Sequence, residues 1–271
     1  MQFNLISDLD VHSRIDLNDR GVHYGDGLFE TMLLHNGEIK YWNNHYSRLQ
    51  SSAVKLKINC PEKAWFDNKF KPYIALNKTL ILKVLINRGT GGRGLHLPEE
   101  LSSNVLILQY EYKIPDKLQV VSAITSSVLL PINRNLAGLK HLNRLDYILA
   151  SEDLTRFPDA NEAILLDHDG YVIEGIINNL FYATGDDIYT PSLETSGVDG
   201  IMRGLIIEKL LEGNRKVNIT RFKINDLLNA GECFMCNSVQ GIRPITQIDN
   251  THFKTGPLTQ SLLKKFSVHA S

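Results

Sequence analysis

One lysine stands where an amine could be reactive. Lys140 lies in AsnLeuAlaGlyLeuLysHisLeuAsnArgLeu (135–145), with small and apolar residues before it and the start of a helical pattern after it. An ammonium in a partly apolar setting loses solvation, which lowers its pKa and favours the nucleophilic amine that Schiff-base chemistry needs. Taken alone, the segment fits a solvated surface lysine equally well. Glu174, 34 residues further on, closes a short strand after a hairpin. A carboxylate facing a ring nitrogen would hold that nitrogen protonated and keep the ring electron-accepting; the simpler alternative is a strand-end acid in water. Asn178 and Asn179 follow, able to bond a polar ring substituent or to shape a turn.

Three further features could hold an anion. GlyIleMetArg (200–203) opens a helix whose first N–H groups and dipole favour phosphate. Ser238 follows a strand in CysAsnSerVal and can donate its hydroxyl, and Arg48, on an early helix, carries a planar fork suited to phosphate oxygens. The glycine-rich stretches 24–30 and 88–94 permit tight turns, but neither is followed by GlyLysSer or GlyLysThr, and neither opens a helix as a dinucleotide fingerprint would. Arg88 and Arg93 in the second stretch could read a carboxylated substrate. Cys233 and Cys236 form a CxxC, but on an apolar strand residues three apart point to opposite faces. With no second pair to complete a zinc site, core packing is the expectation and no metal site is expected.

The elements that must position these groups are legible. Asn36-Gly37 marks a hairpin between strands at 28–34 and 38–42. A helix capped by Asn43 or Asn44 should run to Leu56, and another should cover 61–76. Strands at 79–87 and 105–112 bracket a loop at 88–100, and a polar join at 113–117 is the best linker. Beyond it the pattern predicts a strand at 118–124, a helix near 143–155, a hairpin at Asp169-Gly170, a helix at 203–212, and a final helix near 257–266. Strands joined by hairpins early and by helices late indicate a mixed α/β chain of the α+β type.

Composition narrows the class. The chain has 271 residues, between one domain and two, and 43% hydrophobic residues suffice for a full core, excluding intrinsic disorder. With 29 basic against 30 acidic residues, the net charge of −1 lacks the footprint of a general nucleic-acid or membrane-surface binder. The opening residues show no basic-then-apolar signal pattern, and three cysteines are too few for a disulfide framework, so a cytoplasmic setting is expected.

Six motifs occur together in a recognisable order: AspArgGlyValHisTyrGlyAspGlyLeuPheGluThr (19–31), HisTyrSerArgLeu (45–49), the Lys140 segment, GluGlyIleIleAsnAsnLeuPhe (174–181), GlyIleMetArg (200–203) and AsnSerValGlnGlyIleArgProIle (237–245). In this order they resemble the class IV aminotransferase-type proteins of the pyridoxal-phosphate fold-type IV group, over about residues 15–250. The resemblance implies two α/β domains (1–112 and 118–271, the second carrying the cofactor lysine, with 113–117 as linker), pyridoxal 5′-phosphate in the interdomain cleft, and a homodimer. It makes Lys140 the aldimine lysine and general base and acid, and Glu174 the partner of the ring nitrogen. Arg48, the N–H groups of Ile201 and Met202, and Ser238 become phosphate contacts, Asn178 a further cofactor contact, and Tyr24, Arg88 and Arg93 substrate contacts. Residues 87–94 and 136–145 resemble the aminodeoxychorismate lyase branch, which forms 4-aminobenzoate and pyruvate for folate synthesis; D-amino-acid or branched-chain transamination is the alternative on the same scaffold. A non-catalytic binder would have little use for Lys140, Glu174 and Arg48 together. Leu145 departs from the pattern where branched-chain enzymes place a tyrosine on the cofactor hydroxyl, which points to Asn143 or Tyr24 as substitutes. Arg243 receives no role.

Overall fold

The structure is a computed structural model that describes residues 3–91, 93–97 and 102–266. Its packing separates two compact units, Met1–Lys113 with Lys140–Asn143, and Ile114–Leu139 with Arg144–Ser271. Residues 140–143, which a boundary at 113–117 assigns to the C-terminal part, pack in the first unit. Gly92 and residues 98–101 of the expected glycine-rich loop lie outside the described residues.

The first unit contains β1 (Asn4–Ser7), α1 (Arg20–Tyr24), β2 (Gly27–His35), β3 (Glu38–Ile39), α2 (Trp42–Leu56), α3 (Lys63–Ile74), β4 (Leu80–Asn87) and β5 (Asn104–Glu111). Its sheet runs β1-β5-β4-β2-β3. The β2–β3 hairpin turns at Asn36 (φ 50°) and Gly37 (φ 76°), the positive-φ pair that a tight hairpin favours. Buried positions on α3 are Phe66, Phe70 and Tyr73, and on α2 His45, Leu49, Ser52 and Ala53, both at helical spacing. Each fully buried large side chain contributes about 1.5–3 kcal/mol, and this seam holds α2 and α3, which have no side-chain N-cap bond. The expected asparagine cap of α2 is corrected accordingly. Tyr41 occupies the cap in left-handed backbone (φ 57°), and the helix starts at Trp42, whose ring packs edge-on against Phe70.

The second unit contains β6 (Val121–Leu130), α4 (Leu145–Asp153), β7 (Glu162–Asp167), β8 (Val172–Gly175), β9 (Asn179–Thr184), β10 (Asp187–Pro191), α5 (Ile201–Glu212), β11 (Val217–Thr220), α6 (Ile224–Leu228), β12 (Glu232–Asn237), β13 (Gly241–Ile248), β14 (Thr251–His252) and α7 (Pro257–Phe266). The strands order as β11-β10-β9-β12-β13-β6-β7-β8, with β14 on β13. The strand expected at 118–124 starts later and runs on to Leu130, through a register shift between Thr125 and Leu129. Asp153 makes this possible, accepting from Ser126 Oγ (2.9 Å) and Ser127 N–H (3.0 Å) where the ladder is interrupted. Cys233 packs with Met235 in the core on one face of β12, and Cys236 lies buried on the other. Burial pushes the Cys236 thiol up to about 12, so it is uncharged at neutral pH.

Candidate active site

In the first unit, Lys140 is held by strand-like pairing against the start of β2. Phe29 N–H donates to Lys140 O (2.9 Å), Leu142 N–H donates to Gly27 O (3.0 Å), and Leu28 bridges His141. Only glycine fits at 27, because a Cβ there would stand 2.5 Å from Ile86 O and 2.8 Å from Leu142 Cδ1. The ammonium lies over Phe29, 4.3 Å from the ring centroid, so the amine is half-buried against an apolar face. This is the setting the flanking residues imply.

Arg48 belongs to a buried ionic cluster in the same unit. Glu30, 1% exposed, accepts from Arg48 Nε (2.8 Å) and Nη2 (2.5 Å) and from His45 Nδ1 (2.6 Å). Burial alone would push Glu30 up; the Arg48 charge and the hydrogen bonds from His45 and Arg48 outweigh it and bring it down to about 2. Burial lowers His45, so the imidazole is neutral, with Nδ1–H directed at Glu30. Glu30 therefore orients the guanidinium plane of Arg48.

The second unit presents Glu174, 3% exposed at the end of β8. Its carboxylate accepts from Tyr147 Oη (2.5 Å), Asn179 Nδ2 (3.0 Å) and Val198 N–H (3.0 and 3.1 Å). The loop that supplies Val198 also pairs with Gly138, through Gly138 N–H to Gly197 O (2.9 Å) and Asp199 N–H to Gly138 O (3.0 Å). Immediately after it, Gly200 starts α5 with no side chain to cap Ile201 and Met202, whose N–H groups have no intrahelical acceptor. A Cβ on Gly200 would collide with Asn179 Oδ1. Arg203 ties this first turn down, donating to Asp199 Oδ1 (2.9 Å), Thr190 Oγ1 (3.3 Å) and Pro191 O (3.1 Å). Ser238 sits in the turn after β12, where Asn237 Oδ1 accepts from Val239 N–H (3.0 Å) and Gln240 N–H (2.7 Å).

Several residues singled out from the sequence hold the framework. Arg88 donates bidentately to Asp26 (2.8 and 2.9 Å) and to the carbonyls of Lys57 (2.8 Å) and Leu56 (3.0 Å), which occupies most of its N–H groups. Arg93 is exposed. Tyr24 Oη accepts Gly94 N–H (3.0 Å), and Asn143 Nδ2 donates to Gly25 O (3.2 Å). Asn178 is buried, its amide bonding Glu162 and Asn237 Nδ2 (2.7 Å), whereas Asn179 is the one that reaches Glu174. Leu145 is 75% exposed, and the tyrosine two residues later lies on Glu174. Arg243 acquires a structural place, donating to Val120 O (3.1 Å) and Asn161 Oδ1 (3.3 Å). Sequence reasoning missed Glu30, His45, Arg144 and Tyr147. The last pair had a signal: three residues apart within the helical pattern expected from about 143, they would share a face.

Comparison with known proteins follows the same lines. The family model for amino-transferase class IV matches residues 27–248. An aminodeoxychorismate lyase of Vibrio harveyi is 31% identical, over 92% of this chain and 94% of its own. A D-alanine aminotransferase of Bacillus licheniformis is 28% identical, over 92% and 89%. The crystal structure of 4-amino-4-deoxychorismate lyase from Pseudomonas aeruginosa superposes with a TM-score of 0.87 at 30% identity, covering 95% of this chain and 96% of that one. The mixed α/β architecture is thus fold-type IV, and the chain belongs to the class IV aminotransferase family, whose members use pyridoxal 5′-phosphate.

Proposed function

We propose that this chain is a pyridoxal-phosphate-dependent carbon–oxygen lyase converting 4-amino-4-deoxychorismate to 4-aminobenzoate and pyruvate. The observation that carries the reading is that relatives of that activity are similar along nearly the whole chain in both sequence and structure. The donor set suits the cofactor on chemical grounds. The aldehyde calls for an amine, which Lys140 offers against the Phe29 ring. The ring nitrogen calls for a carboxylate, which Glu174 offers with three donors behind it. The phosphate calls for N–H groups, which Arg48 and the uncapped start of α5 supply, with Gly200 leaving the backbone bare.

When bound, the cofactor supplies a protonated pyridine ring that accepts the electron pair left as a substrate C–H bond breaks. Lys140 Nζ would be the group that holds the cofactor through its aldehyde, and once substrate is bound its free amine would take the C4 proton as general base. The C3–O bond to the enolpyruvyl group then breaks, the six-membered ring becomes aromatic, and Lys140 Nζ returns a proton to the departing three-carbon unit. Glu174 keeps the ring nitrogen protonated, and Arg48, the N–H groups of Ile201 and Met202, and Ser238 hold the phosphate. Tyr24, whose hydroxyl accepts Gly94 N–H and so keeps its own proton to donate, and the exposed Arg93 are assigned to substrate carboxylates.

The D-alanine aminotransferase relative supports a second reading, transamination on the same scaffold. Purified protein loaded with pyridoxal phosphate separates the two. Incubated with aminodeoxychorismate and no oxo acid, it is expected to release pyruvate and 4-aminobenzoate in equal amounts over many turnovers. Absence of pyruvate, with turnover of a D-amino acid and an oxo acid instead, refutes the lyase. Borohydride should fix the cofactor to the wild-type chain and not to Lys140→Ala.

A further inference from the structure

Behind Glu174 stands a second layer that the transferred motifs leave without a role. Tyr147, in the first turn of α4, directs its hydroxyl at Glu174 Oε1 (2.5 Å). The Arg144 guanidinium lies over the Tyr147 ring, its Cζ 4.7 Å from the centroid, and donates to Leu139 O (3.1 Å). Three groups are thus in series: a fixed positive charge, a phenol and a buried carboxylate. We propose that Tyr147, with Arg144 behind it, is a positioning residue that holds Glu174 as the ionised acceptor, so that a proton shared between Glu174 and the cofactor ring nitrogen rests on the nitrogen. The proposal builds on the reading above and concerns where that proton sits.

The argument is electrostatic. A carboxylate that accepts a charge-assisted bond is a weaker base than one that does not, because the donor stabilises only its charged form. Asn179 Nδ2 and Val198 N–H also donate to Glu174, but both are neutral groups fixed by local backbone. Tyr147 differs from them in lying under a cation, the Arg144 guanidinium, and so couples the acid to a positive charge. The phenol itself remains a donor at ordinary pH: burial raises its pKa, the Glu174 charge raises it further, and Arg144 opposes both only in part. Leu139, whose carbonyl Arg144 caps, directly precedes Lys140, so the same guanidinium also steadies the chain entering the reactive lysine.

Tyr147→Phe tests the proposal with minimal change of shape, and Arg144→Gln and Arg144→Lys separate charge from packing. The carboxyl carbon of Glu174 is followed by 13C NMR in the cofactor-free full chain, with Glu174→Gln giving the assignment. Its ionisation is expected to move up by about one pH unit in Tyr147→Phe, by a smaller amount in Arg144→Gln, and hardly at all in Arg144→Lys. In protein loaded with 15N-labelled pyridoxal phosphate, the ring nitrogen resonance should shift toward the unprotonated position in Tyr147→Phe. The kcat should fall about tenfold or more, with KM little changed. An unchanged carboxyl titration together with an unchanged ring-nitrogen resonance in Tyr147→Phe overturns the proposal. Failure of wild-type protein to bind the cofactor would instead overturn the functional reading, while the carboxyl titration would still decide the role of Tyr147.

Discussion

Glu30→Gln should destabilise the first unit by an amount the buried cluster allows to be worked out. Glu30 is 1% exposed and accepts three hydrogen bonds, one from His45 and two from Arg48. Its carboxyl ionises near 4.5 in the unfolded chain and at about 2 in the folded one. That difference corresponds to ~3 kcal/mol of stability at pH 7, in line with the ~3–5 kcal/mol typical of breaking a buried pair from one side. Because the folded value is depressed, the contribution is fully present above about pH 4.5 and is lost as pH falls through about 2. Protonated Glu30 has the shape of glutamine, so wild type and variant should converge in acid: roughly 2 kcal/mol of the difference should have gone by about pH 3. Urea unfolding followed by tryptophan emission is the assay. The two tryptophans, Trp42 and Trp65, both belong to α2 and α3, so the signal reports the first unit alone. At pH 7 the midpoint should fall by about 1–3 M urea. A destabilisation below ~1 kcal/mol at pH 7, or a difference unchanged at pH 3, would refute the claim that Glu30 is a buried, ionised anchor for Arg48.

Two further outcomes follow from the framework contacts. Arg88→Ala removes the bidentate bond to Asp26 and the ties to the Leu56 and Lys57 carbonyls, so it should cost about 1–3 kcal/mol in urea unfolding while leaving KM nearly unchanged; a raised KM without loss of stability would return Arg88 to the substrate. Gly200→Ala forces Asn179 away, because the new Cβ would occupy the place of its Oδ1, and should weaken pyridoxal phosphate binding more than tenfold in a spectroscopic titration. An alanine variant that binds the cofactor as tightly as wild type would show that the bare backbone at 200 is not needed.

Much of the local structure is legible in the residues, and the reason is that its signals are short-ranged. Asn36-Gly37 turns a hairpin because both residues tolerate positive φ, and the spacing of apolar residues marks the final helix, Pro257–Phe266. The motif order pointed to the amine at 140 and the acid at 174, and each lies in a setting suited to its chemistry: Lys140 against Phe29, Glu174 among donors. Tertiary structure decided how the charged side chains were used. Arg88, which the sequence suggests as a substrate reader, closes on Asp26, 62 residues away. Arg48 acquired Glu30 as a buried counter-charge, and Glu174 acquired Tyr147, 27 residues before it. Asn178 and Asn179 are neighbours in sequence, yet the amide just before β9 bonds Glu162 and the one at its first residue bonds Glu174. The physical division is one of range. Turns, helices and strands answer to φ/ψ preferences and to the spacing of apolar residues within a few positions, so the chain alone determined them. Which acid meets which base depends on pairings across dozens of residues that exist only once the sheets have packed, and desolvation then makes those pairings strong.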